Sequence, residues 1–436
     1  MSKLLFVVNG AVPSPVGDGV RVGTWLWVET MLGLGFEPIV VPYRLPPASF
    51  ATLAADRLRL NAKGVRVCDD LADRPKEAWP RLSLVVRAIL PLRGVSCPHL
   101  GMDRAVLRGI AEREAPLVVI AYDTAAVAVL PGLADKWQCI AVLVDLPESL
   151  LESRRLGIHQ MKGIKWWKEV LQLVGMRKAR EWLIEDIGCV SAVVEHAWVH
   201  AEELKRRTRT QVVYVPHCMP GPEDPGAVNQ EPEHADSYRL LIMGSLKGAT
   251  SRLGFEYLLD QLLPRLRAVC GSLDRPIRIR IVGHGEMLAS LRTRLMLQSE
   301  VEFGPFASTR EAIEREYATC HAVLVPIPVK VGFRTRIAEA FAYGKCVIAH
   351  SANCQGMPEV VDQVNAMCAE DPGELAQRII TVLGDRTLRQ ILGNSARQTF
   401  LNHYSLEAMK RSVEPLLKSI ISLAESKHAN RVGSGQ

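Results

Sequence analysis

The sequence predicts an α/β protein built as two parallel-sheet domains, and three observations predict it. Short β-branched runs alternate with segments of helical spacing along the chain, a single proline-rich acidic segment interrupts that rhythm, and 436 residues suffice for two large layered domains. Strands joined through helices form a parallel sheet covered on both faces. Each domain is therefore expected to be a Rossmann-like, doubly wound layer structure. Such sheets take ligands beyond the carboxyl ends of their strands, so the turns that follow the strands are where functional residues should sit.

The elements follow in order. In the first half, residues 3–9, 37–42, 117–122, 139–144, 190–194 and 212–216 are short apolar runs bounded by turn residues, and each reads as a strand. Residues 219–237 then hold Pro220, Pro222, Pro225 and Pro232 with five acids and no Lys or Arg, the composition of an interdomain linker. In the second half the strands are residues 239–243, 277–282, 301–303, 322–325 and 346–349. The organisation read from this is a first domain over 1–218, the linker 219–237 and a second domain over 238–395. Carboxyl-terminal helices over 396–425 return to pack on the first domain, and 426–436 form a tail.

Composition narrows the function classes. With 48% hydrophobic and 23% charged residues the chain is too apolar to be disordered. The net charge of +6 resolves into +5 before the linker, −5 within it and +6 after it, too mild for a nucleic-acid coat. All eight tryptophans precede the linker, so the halves differ in surface chemistry. Ten cysteines lie scattered with no C-x-x-C pair, which argues against a zinc ribbon or disulfide framework and fits reduced thiols in a cytoplasm. The apolar start, Leu4 to Val8, is too short for a signal-peptide core or a spanning helix.

Several turns can carry chemistry. After the first strand, "NGAVPSPVGDGVRVGTW" brings Gly17, Gly19 and Gly23 into a helix start, where backbone N–H groups can approach a phosphate; a plain strand-to-helix turn is the alternative. In the second half "MGSLKGATSR" places Gly244, Ser245, Lys247 and Arg252 between a strand and a helix, two cations suited to a diphosphate or simply to a solvated turn. "IVGHGEM" ends a strand in Gly283 and His284. The richest stretch, "VGFRTRIAEAFAYGKCVIAHSANCQGMPEVV", carries Gly332, Arg334, Arg336 and Glu339 at a helix start. There a glutamate can hold a ribose diol while arginines and the helix dipole hold phosphates. Alternatively Arg336 and Glu339, three apart, form an intrahelical ion pair.

These residues resemble the nucleotide-sugar domain of GT-B glycosyltransferases, in particular glycosyltransferase family four (group 1). The resemblance rests on "GFRTRIAEAFAYGKCVIA", "GMPEVV", "YVPHCMP", "VEFGPF", "YATCHAVLVP" and "HYSLEAM", in order and spacing from about Tyr238 to Met409. It implies two domains facing each other across a cleft, with Glu339 on the nucleotide ribose and Gly332 and Phe333 in the loop whose amides face the donor. It also implies Lys247 and Arg252 at the diphosphate, and Arg334 and Arg336 match a subgroup reading "G-T-R-L-K-I-L-E-A". Gly17, Gly19, Gly244, Ser245, Gly283, His284 and Phe306 complete the implied donor site. Two departures stand out: Val331 occupies the place of the first family glutamate, and Val144-Asp145 the place of a frequent "HD".

The resemblance implies a retaining, metal-independent glycosyltransferase of the cytoplasm. It would move a sugar from a nucleoside diphosphate sugar to a glycan, a lipid-linked or a small-molecule acceptor, with no further cofactor. Lys247, Arg252 and Arg334 would stabilise the leaving phosphate, and Asp145 is a cleft candidate. An epimerase or hydrolase of the same fold, or a catalytically weak nucleotide-sugar-binding subunit, are the alternatives. His196 and His200 lack the H-E-x-x-H order of a zinc site and no D-x-D occurs, so no metal is expected. Met161, Ile164, Trp167, Leu171 and Val174 make an apolar stripe beside Lys162, Lys165 and Lys168, fit for packing on its own domain or for a peripheral membrane contact.

Overall fold

The computed structural model describes residues 2–15, 19–73, 99–143, 163–223, 226, 231–232, 236–330 and 332–433. It divides into two compact units, one of Met1–His217 with Met409–Gln436 and one of Cys218–Ala408. Among the described residues no helix is long and apolar enough to cross a membrane.

In the first unit seven strands form a parallel sheet: β1 Lys3–Asn9, β2 Glu37–Tyr43, β3 Arg66–Val67, β4 Val118–Tyr122, β5 Gln138–Leu143, β6 Ala192–Glu195 and β7 Gln211–Tyr214. Their order is β3-β2-β1-β4-β5-β6-β7. Alternate residues face opposite sides of a strand, so Leu5, Val7, Ile39 and Val41 pack with Leu107, Ile110, Ile187 and Leu204 on one face. Phe6 meets the rings of Trp27 and Tyr122 on the other. The expected strand 139–144 begins one residue earlier and its described part ends at Leu143, and 190–194 is displaced to 192–195. Flanking turns in sequence do not mark where ladder pairing starts.

The second unit repeats the plan with β8 Tyr238–Met243, β9 Ile277–Val282, β10 Val301–Phe303, β11 Ala322–Val325, β12 Val347–His350 and β13 Met367–Ala369, all parallel. The order is β10-β9-β8-β11-β12-β13. Leu240, Ile242, Ile279, Ile281 and Ile348 bury one face beneath Leu258, Leu262, Ile379 and Leu383. Leu241, Met243, Val323, Val325 and Val347 bury the other beneath Ile337, Phe341 and Tyr317. In each sheet the strand order reverses once, between β1 and β4 and between β8 and β11, and such reversals open a crevice at the strand ends.

Candidate donor site at the switch point of the second sheet

The loops that follow β8, β9 and β11 meet at the second reversal, and glycines let their main chains touch. A Cβ on Gly283 would lie 1.8 Å from the Gly244 carbonyl oxygen, and one on Gly356 would lie 2.0 Å from that of Gly332. Gly244 and Gly332 have φ of 124° and 76°, backbone that glycine adopts without strain. The amide of Leu246 donates to the His284 carbonyl at 2.9 Å, locking the first two loops together.

Arginines brace this frame. The Arg336 guanidinium donates to the Ser245 carbonyl and, at 3.0 Å, to Ser251 Oγ, while Ser251 Oγ donates to the same carbonyl at 2.8 Å. Burial lowers the Arg336 pKa to about 10, which leaves it charged at neutral pH. Arg334 Nε donates to Asn353 Oδ1 and Nη2 to the Val329 carbonyl, both at 2.8 Å. Asn353, 1% exposed, turns its Nδ2 toward the carbonyls of His350, Ile327 and Val325 at 2.6, 3.1 and 3.3 Å. One buried amide thus joins the ends of β11 and β12.

Glu339 lies in the helix Thr335–Ala342 and accepts a hydrogen bond from Tyr317 Oη at 3.1 Å. Burial raises its carboxyl pKa above the ordinary value, opposed by that hydrogen bond and by nearby Arg310 and Arg336. The rings of Tyr317 and Tyr343 stack at 4.3 Å behind it. The alternative reading, an ion pair of Arg336 with Glu339 along one helix face, gives way to these partners. Ser251 and Tyr317 come from other helices, and a fixed buried partner outcompetes a local surface pair worth a few tenths of a kcal/mol.

The rim carries exposed and half-buried side chains. Lys247 and His284 are exposed, and Phe306, 57% exposed, sits 5.8 Å from the His284 ring. The side chain of Lys247 lies along Gly285, whose Cβ would come 2.9 Å from it. Arg252 is half-buried at 3.8 Å from Glu256. The half-buried Phe333 packs edge-on to Tyr404 at 5.5 Å.

Gly244, Ser245, Gly283, His284, Gly332, Arg334 and Arg336 are therefore joined by direct contacts between loops, with Lys247, Arg252, Phe306, Phe333 and Glu339 on the same loops and helices. Gly17, Asp145 and Val331 lie outside the described residues, as do Met161 and Lys162 of the apolar stripe. Gly19 opens the helix Gly19–Gly33 with open space around it. Sequence reasoning missed Asn353, Ser251 and Tyr317, whose roles depend on partners far along the chain.

In the first unit the switch point between β1 and β4 is marked by Asn9 Nδ2 donating to Asp123 Oδ2 at 2.7 Å. Asp123 has φ of 80°, unusual for a non-glycine residue, and its carboxylate caps the helix Thr124–Val127. His196 and His200 are buried: His196 Nδ1 lies 2.7 Å from the Val215 carbonyl, and His200 lies 3.7 Å from Glu195. Burial lowers the His196 pKa to about 4, so it is neutral and structural at pH 7. Among the described residues no group of three or more His, Cys, Asp and Glu side chains could hold a metal ion.

The chain resembles known proteins at two levels. Residues 237–385 match the model of the family described as Glycosyl transferases group 1. No curated protein matches the chain in sequence. Solved structures share its fold at low identity. Sucrose-phosphate synthase from Thermosynechococcus elongatus is 14% identical with a TM-score of 0.66, covering 97% of this chain and 100% of that one. Anabaena HepE in complex with UDP and glucose is 13% identical, TM-score 0.62, covering 96% and 100%. A variant of S. aureus TarM in complex with fondaparinux, alpha-GlcNAc-glycerol and UDP is 9% identical, TM-score 0.61, covering 97% and 100%. Strand order, the glycine-framed loops and these comparisons agree: the chain has the GT-B fold of those solved structures, and residues 237–385 of its second unit resemble group 1 glycosyltransferases.

Proposed function

We propose that the chain is a glycosyltransferase moving a sugar from a nucleoside diphosphate sugar to an acceptor, with the donor held by the loops at the second switch point. The observation that carries this reading is the glycine-framed contact of these loops, with the cations Lys247 and Arg252 on the loop and helix that follow β8 and the carboxylate of Glu339 on the helix that follows β11. HepE and TarM, which share the fold, are described in complexes with UDP.

On this reading Glu339 accepts the ribose hydroxyls while Tyr317 orients its carboxylate. Lys247, Arg252 and the amides at the start of the helix Ala249–Tyr257 meet the diphosphate. As the bond to the sugar breaks, negative charge builds on the departing diphosphate, and these groups stabilise it without a metal or further cofactor. Arg334 and Arg336 act as positioning residues, because their guanidinium groups hold the loops in place. Retention of anomeric configuration is part of the proposal.

The acceptor is assigned to the first unit, where Asn9 and the strained Asp123 mark the corresponding crevice. A glycan, lipid-linked or small-molecule acceptor fits this placing. The pair Trp166 and Trp167, 37% and 62% exposed with ring centroids 4.9 Å apart, supports a peripheral contact of the first unit with the cytoplasmic face of a membrane, which suits the lipid-linked class.

Calorimetry of UDP binding tests the donor assignment. Glu339→Ala should weaken UDP by about tenfold or more, some 1.4 kcal/mol, since charge-assisted hydrogen bonds are lost; unchanged affinity sinks it. Release of nucleoside diphosphate only when acceptor is present identifies transfer, and acceptor-independent release points to hydrolysis instead.

A further inference from the structure

Cys354 and Cys368 place their sulfur atoms 3.3 Å apart, although 14 residues separate them. Cys354 lies in the 3-10 segment Ser351–Gly356 that follows β12, and Cys368 is the middle residue of β13. The ladder pairs Ala349 with Cys368 and His350 with Ala369, so the segment carrying Cys354 leaves β12 directly beside Cys368. Cys354 is half-buried and reachable from solvent, whereas Cys368 is 6% exposed and fixed by its amide, which donates to Asp362 Oδ1 at 2.8 Å. The arrangement is a reachable thiol backed by an anchored one.

We propose that Cys354 and Cys368 form a dithiol modification site that peroxides close to a disulfide, loosening the donor loops. The Cys354 thiolate attacks one peroxide oxygen; the O–O bond breaks, one water leaves after protonation, and Cys354 becomes a sulfenic acid. The Cys368 sulfur then attacks that sulfur, the S–O bond breaks and a second water leaves. Each sulfur is oxidised by one electron and the peroxide is reduced to two waters. Hydrogen bonding from Cys368 lowers the Cys354 pKa, which favours Cys354 as the attacking group, while the same contact and burial raise that of Cys368.

The consequence for the site follows from neighbours. Asn353, adjacent to Cys354, ties the ends of β11 and β12, and Gly356, two residues on, touches the Gly332 carbonyl. A disulfide requires the sulfurs to close to about 2.0 Å. With Cys368 anchored in the sheet, the movement falls on the 3-10 segment and shifts it against Gly332, disturbing the close contact of Gly356 with the Gly332 carbonyl. This effect on nucleotide rests on the donor reading above; the chemistry of the two thiols does not.

The full chain, reduced and then treated with hydrogen peroxide, should yield a linked pair of peptides containing Cys354 and Cys368, reversed by a thiol reductant. Cys354→Ser and Cys368→Ser should each abolish it. UDP should bind the oxidised wild type about fivefold or more weakly than the reduced form, and bind Cys354→Ser equally before and after peroxide. Absence of the linked peptides, or oxidation at the exposed Cys189 in their place, overturns the modification site. Linked peptides with unchanged or tighter UDP binding overturn its coupling to the loops. Failure of the reduced protein to bind any nucleoside diphosphate defeats the donor reading and leaves the disulfide result standing.

Discussion

Asn353→Ala should destabilise the second unit more than any change to an exposed charge. The amide has two N–H donors spread over three carbonyls, and its oxygen accepts from the charged Arg334. Truncation removes two neutral hydrogen bonds, about 1 kcal/mol each, and one charge-assisted bond of about 2 kcal/mol, for a loss of about 4 kcal/mol. For a unit of this size that lowers the unfolding temperature by about 8–16 °C. Asn353→Asp keeps an acceptor for Arg334 but turns a second oxygen toward the carbonyls, so it should be at least as damaging. No tryptophan lies within Cys218–Ala408, so far-UV circular dichroism or hydrogen exchange must follow this unit. Tryptophan fluorescence reports the first unit and serves as an internal control. An unfolding temperature of the second unit within about 2 °C of wild type, or an Asp variant more stable than the Ala variant, would refute the reasoning.

Two further outcomes are expected. Gly283→Ala puts a methyl where the Gly244 carbonyl oxygen already stands, so it should unfold or rebuild the donor loops by several kcal/mol, about 3 or more, and abolish UDP binding; Gly271→Ala, with open space around it, is the control that should do neither. His196 has a folded pKa of about 4 against an ordinary 6.5, so the unfolded chain binds more protons between those values, and stability present at neutral pH is lost as pH falls through that window. The contribution lost between pH 7 and pH 5 is about 2 kcal/mol. Urea unfolding followed by tryptophan fluorescence should show a correspondingly shallower acid dependence in His196→Phe, and an unchanged slope counts against a buried neutral histidine.

Much of the fold was legible because buried parallel strands are written as uninterrupted β-branched runs. Residues 3–9, 277–282, 301–303 and 322–325 are strands with the bounds their sequence suggests. The short outer strands β3, Arg66–Val67, and β13, Met367–Ala369, have two and three residues and carry no periodicity to detect. The loops of the candidate site were legible from glycine and charge, but the partners of their side chains were not. A pairing of Arg336 with Glu339 stood as an alternative because sequence displays only the helix they share. Ser251 and Tyr317 enter from helices that the sheet brings alongside. Asn353 had no signal at all, since a single asparagine in "SANCQG" reads as a turn residue until the carbonyls around it are known.

The contacts of Gly283 with Gly244 and of Gly356 with Gly332 bear on how such a protein changes over time. Where the carbonyl of one loop fills the space a side chain would need on the next, loop shape is stored in the main chain. His284, Phe306 and Lys247 hang from that scaffold without supporting it. Recognition can then drift through single exchanges on the rim, each leaving the fold intact, while the glycines beneath admit almost no replacement. One part of the molecule is free to vary because another cannot.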